Sequence, residues 1–209
     1  MKFDKDFKKA IEAMPESEKD KLLLRLLKHD LTLANRLYFE LVDGGSVDEK
    51  RDEMEARIVS MMERAINTYD SPGWFMMELR YMSGDISEHV KITKDKFGEV
   101  QLNLRMVALA LSGWDSILNK EASGRSSKLC IYVVAKVFNM LVLTQKLHPD
   151  LHYDLQKDLE RVGQLIGHND AMMRTAIDHG LDVNWLIMGN VPNNIAEKQK
   201  ELRQMGFLK

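Results

Sequence analysis

The chain has 209 residues, 44% hydrophobic and 30% charged, with a formal net charge of −2. This excludes a disordered chain and suits one good-sized core or two small ones. Residues 1–70 carry 13 basic and 16 acidic side chains, residues 71–120 carry 6 of each, and residues 121–209 carry 11 and 10, so no stretch has the basic footprint expected of a nucleic-acid binder.

Met1 to Lys9 contains no apolar run, so no secretory signal is expected and the expected compartment is the cytoplasm. Residues 4–13 predict a short amphipathic helix with Phe3, Phe7, Ala10 and Ile11 on one face, ended by Met14-Pro15. Ser17, with Asp20 three residues on, predicts the cap of a second helix that buries Leu22, Leu23, Leu26 and Leu27. Asp30 predicts the cap of a third, running to Gly44-Gly45. Ser46-Val-Asp-Glu49 reads as a capping box opening a helix to about Tyr69.

Ser71-Pro72 starts the next helix, with Phe75, Leu79, Met82, Ile86 and Val90 at helical spacing; Ser83-Gly84 is a place where it could bend or break. Gly98 marks an end or a second break, after which Val100, Leu104, Val107 and Leu111 continue. From Ser112 to Ser127 the periodicity lapses, and the longest connection of the chain is expected there.

Leu129 to Leu143 is apolar nearly all round, interrupted only by Lys136 and Asn139. A helix of that kind must be covered on most sides. It reads as too short and too interrupted to cross a bilayer, which takes about 20 apolar residues. Cys130, the single cysteine, reads as a small core residue. Beyond His148-Pro149, Leu151, Leu155, Leu159, Val162 and Ile166 define an amphipathic helix. Asn169 caps another, carrying Met172, Met173, Ala176 and Ile177; a short turn with Trp185 and Leu186 and a last helix from Asn194 to Met205 follow. No segment alternates as a strand would.

The expected fold is all-α: an irregular bundle or solenoid-like stack of about nine to eleven antiparallel helices around a buried central helix over about 127–146. The expected division is 1–70, N-terminal helical hairpins, and 71–209, the main bundle, or one continuous domain. Ala176-Ile-Asp-His-Gly-Leu-Asp-Val183 resembles part of one ankyrin unit, and residues 15–42 resemble a HEAT-type hairpin. One unit of each does not make an array, because a repeat buries its core only against its neighbours.

Three constellations could carry chemistry. Glu78, Asp85 and His89 are spaced to share one face of the helix after Pro72, with Glu88 nearby. Carboxylates and an imidazole on one helical face suit a divalent metal. Together with Glu49, Asp52 and Glu53, these acids invite comparison with the all-α nucleotide pyrophosphatases, though not in that family's paired order. Arg125, Ser126, Ser127 and Lys128 precede the central helix, where free N–H groups, two hydroxyls and two cations could hold an anion. His148 and His152 are four apart, but Pro149 leaves their geometry unfixed. Trp114, in the expected connection, is the candidate interface anchor.

The sequence therefore leads to a protein that works through protein–protein contact, as a scaffold, adaptor or homo-oligomer, with no cofactor, no nucleic acid and no membrane. The alternative is a metal-dependent hydrolase of a nucleotide or phosphate compound, with its site on the helix after Pro72.

Overall fold

The computed structural model describes residues 3–118 and 124–209, with residues 114–118 described as backbone alone. The described residues form eleven helices and no strand. They are α1 (Lys5–Glu12), α2 (Glu16–Leu27), α3 (Leu31–Leu41), α4 (Val47–Asn67), α5 (Pro72–Thr93), α6 (Lys96–Leu118), α7 (Ser127–Thr144), α8 (Asp150–His168), α9 (Asp170–Asp178), α10 (Asn184–Ile187) and α11 (Ile195–Gln204). The all-α expectation holds.

Several helix starts follow from local chemistry. The Glu49 amide donates to the Ser46 hydroxyl at 3.1 Å, and the Ser46 amide donates to the Glu49 carboxylate at 2.7 Å. This reciprocal box satisfies two backbone donors that the first turn leaves free. Asp30 caps α3 through the Leu33 amide, Ser71 caps α5 ahead of Pro72, and Asn169 caps α9 through the amides of Ala171 and Met172. Ser17 does not cap α2: the helix already begins at Glu16, behind Pro15.

The break expected near Gly98 occurs, at Lys94-Asp95 between α5 and α6, but two other expected interruptions do not. α5 runs through Ser83-Gly84 without interruption. Leu79, Met82 and Ile86 are all buried around Gly84, and their burial outweighs the roughly 1 kcal/mol that glycine costs a helix. α6 likewise continues past Ser112-Gly113 to Leu118, which shortens the expected connection. Gly113 sits where α6 crosses α4: a Cβ there would come within 2.4 Å of the Ile66 side chain. A glycine that resembles a helix breaker in sequence is here a close-packing position.

The core is centred on two helices rather than one. α7 fills the expected role: Leu129, Val133, Val137, Phe138 and Leu141 are buried, and no residue from Leu129 to Leu143 is exposed. By length and apolarity its 18 residues do reach what a short membrane span needs, and half of that stretch is buried among other helices. α6 is equally central. It packs against α4, α5, α7 and α8, and buries Val100, Leu102, Leu104, Met106 and Leu111. α4 supplies Met54, Ile58, Met62 and Ala65 to the same core. It is therefore packed with the main bundle rather than with the hairpins before it.

One buried ion pair fixes the corner where α4, α5 and α6 meet. Arg51 Nε of α4 donates to Asp95 Oδ2 at 2.6 Å, and Asp95 is buried. The other carboxylate oxygen accepts from the Gly98 amide at 2.8 Å, capping α6, while the Asp95 amide donates to the Thr93 hydroxyl. The guanidinium also lies 5.0 Å from the centre of the Phe97 ring. Gly98 is required by this arrangement, since a Cβ would fall 2.0 Å from Asp95 Oδ2. Just before Asp95, Lys94 ends α5 in the left-handed conformation at φ 61°, a place where glycine would avoid about 1 kcal/mol of strain.

Breaking a buried pair by removing one charge leaves the other without compensation. Asp95→Asn is expected to lower the free energy of unfolding by about 3 kcal/mol, measured by equilibrium urea denaturation. Gly98→Ala, which displaces the carboxylate without changing any charge, is expected to cost at least as much.

Candidate functional site

The sequence-predicted residues do not assemble as expected. Asp85 is taken up by an ion pair: Arg57 of α4 donates to its carboxylate at 2.8 Å. His89, one turn further along α5, shares a hollow of about 300 Å³ with Asp85, Glu88 and Arg57, and Glu78 does not line it. Among the described residues, no three of His, Cys, Asp and Glu come together as a metal would require. Arg57 neutralises the negative charge that Asp85 would otherwise offer to a metal cation. His89 Nε2 is buried without a hydrogen-bond partner. Burial holds its imidazole below the usual histidine range, with Asp95 opposing that shift and Arg51 adding to it.

The residues before α7 divide. Ser126 is buried and reaches the Cys130 thiol, whereas Arg125, Ser127 and Lys128 are exposed. The four do not form one cradle. Cys130 is free and buried, and burial pushes its thiol up from the ordinary value. His148 turns to Asp150 at 3.2 Å at the start of α8, while His152 faces a hollow lined by Gln145, Gln156 and Asn193. The two histidines therefore serve different surroundings. The Trp114 side chain lies outside the described residues.

Two features were not foreseen. The first is the N-terminal arm. α1, α2 and α3 bury no residue at all. Leu23 and Leu26, expected inside, are exposed, and Leu22 and Leu27 are half-buried. Eleven of the eighteen large apolar side chains exposed among the described residues lie between Phe3 and Val42. Leu24 is 61% exposed and Leu41 78% exposed. The signal for this was the run Leu22-Leu-Leu-Arg-Leu-Leu27, which is apolar on more of the helix than one neighbour can cover.

The second is Lys136, the interruption in α7. Its amine donates to the Ser83 hydroxyl of α5, and Arg80 stacks over the neighbouring Tyr132 ring. Burial pushes the Lys136 amine down to about 8, and Glu99 pulls the other way. A depressed lysine on a serine suggests nucleophile activation. Both residues, however, stand in mid-helix, where backbone N–H groups are already bonded along α5 and α7, so no free donors face an oxyanion. The pair works as a buried polar contact between the two helices.

No family model, curated protein or solved structure matches the chain.

The unfolded-state pKa of a lysine is about 10.4, above the folded value of about 8. The folded protein therefore binds fewer protons between those values, and its stability rises with pH across that window. Below it, the charged amine costs on the order of 3 kcal/mol. Lys136→Met is expected to raise the melting temperature by several degrees at pH 7, with the gap to the unmodified chain closing by about pH 10.5 in a pH series of thermal melts.

Proposed function

We propose that the protein acts by protein–protein contact, through the apolar surface of α1, α2 and α3. The observation that carries this reading is the concentration of exposed leucine, phenylalanine and isoleucine on helices that bury nothing of their own. Helices below about 12–15 residues are marginal in water without tertiary packing; α1 has 8 residues, α2 has 12 and α3 has 11. Exposed apolar side chains concentrated in this way are characteristic of an interaction site rather than of ordinary surface. α3 leans on α5, and this ties the arm to the bundle while its leucines face outward.

The charge of the arm favours a protein over a lipid surface. Between residues 2 and 40 nine basic side chains are met by eight acidic ones, so the arm has almost no net charge to draw it to anionic headgroups. Fully covering a leucine releases about 1.5–3 kcal/mol, so four or five leucines supply enough to offset the cost of association for a micromolar complex.

A photo-crosslinking residue placed at Leu24 or Leu41 is expected to give one discrete adduct, identified by mass spectrometry as a second protein or a second copy of this chain. The same residue at Tyr153, 83% exposed on α8, which packs on α6, α9 and α10, is the control. Leu23→Gln with Leu26→Gln is expected to remove the adduct and leave the melting temperature of the bundle within about 2 °C, because neither side chain is buried. Equal labelling from all three positions, or none from the arm, would refute the reading.

A further inference from the structure

A cleft of about 350 Å³ opens where the last turns of α5 and α7 meet the first turn of α6. Its apolar wall is Val90, Leu143 and Leu147; Lys91, Lys94, Lys96 and Lys146 line the rest, with Glu99 as the one acid. Four cations against one acid is a local excess in a chain whose net charge is −2. No described residue forms an ion pair or hydrogen bond with the side chains of these four lysines. Glu99 is also attracted by the charge of the Lys136 amine, which offsets part of the repulsion it would present to an anion.

Lys94 adds an independent observation. It holds a left-handed conformation at φ 61°, where glycine is the ordinary residue. Its amide closes α5 on the Val90 carbonyl, a task a glycine would perform without the strain, and its charge is delivered to the rim of the cleft. Asp95, locked by Arg51, sets Lys94 and Lys96 on either side of one rigid turn. The backbone that carries Lys94 and Lys96 is thus held by a buried anchor, while all four lysine side chains are exposed. The volume is at the low end for a small-molecule site, and an apolar wall with a few placed charges is the usual character of one.

We propose that this cleft binds a small amphipathic anion, its apolar body against Val90, Leu143 and Leu147 and its carboxylate or phosphate head among the lysines. This inference does not depend on the reading of the N-terminal arm.

Isothermal titration of the full chain with decanoate, decyl phosphate, decanol and acetate, each below its aggregation concentration, tests it. Decanoate or decyl phosphate is expected to saturate one site per chain at least about tenfold more tightly than decanol, with no acetate binding in the same range. The order of the two anions tells a carboxylate head from a phosphate head. Lys94→Gly is expected to weaken anion binding about fivefold while raising the melting temperature by about 2–4 °C, so loss of binding cannot be mistaken for loss of folding. Leu23→Gln with Leu26→Gln is expected to leave binding unchanged. Equal affinity for decanol and the anions, an affinity untouched by Lys94→Gly, or binding lost with the arm leucines would each overturn the proposal.

Discussion

The pairing of Arg51 with Asp95 is the constraint on which the rest of the bundle hangs. Three elements converge on a single residue, Asp95: α4 through the guanidinium and α6 through the Gly98 amide, both on its carboxylate, and α5 through the Thr93 hydroxyl, which accepts from its backbone amide. A buried pair of this kind adds little net stability over a well-packed apolar contact, because both ions surrender hydration. Its contribution is directional. It allows one angle between α5 and α6 and excludes sliding of α4 along them. α6 then enters the core as a rod with α4, α5, α7 and α8 around it.

The protein is uneven as a result. From α4 onward, side chains from distant parts of the sequence interlock, with Phe75, Phe138, Leu102 and Met106 fully covered. Before α4, three short helices are amphipathic but lack a second layer. The division between a self-sufficient bundle and an incomplete arm is the strongest structural argument for a role in association.

Local features were the legible ones. The Ser46–Glu49 box, the Ser71-Pro72 start and the Asn169 cap each depend on residues within three or four positions, and all occur. The glycines were misleading because sequence shows their conformational freedom and not their neighbours: Gly84 and Gly113 lie within continuous helices, and Gly98 makes room for a carboxylate. The leucines of α2 could be seen to need cover, but whether the chain itself supplies that cover is a tertiary matter. The partners of Asp85 and Lys136 were hidden for the same reason. Asp85 meets Arg57 28 residues away and Lys136 meets Ser83 53 residues away; no spacing rule within one helix anticipates either partner. The four lysines of the cleft disappear in a count by segments, because Lys146 joins the other three only once α7 lies beside α5.

Gly163 in α8 has a further consequence. A Cβ there would sit 2.8 Å from the Ile187 side chain and 3.0 Å from Leu186, so its absence is a notch that admits α10. On the same side, the Gln156 amide donates to the carbonyls of Leu186 and Ile187. A helix of 4 residues has no persistence of its own. It exists as a rivet seated in its larger neighbour, so α10 keeps its shape only while α8 stays docked on α6.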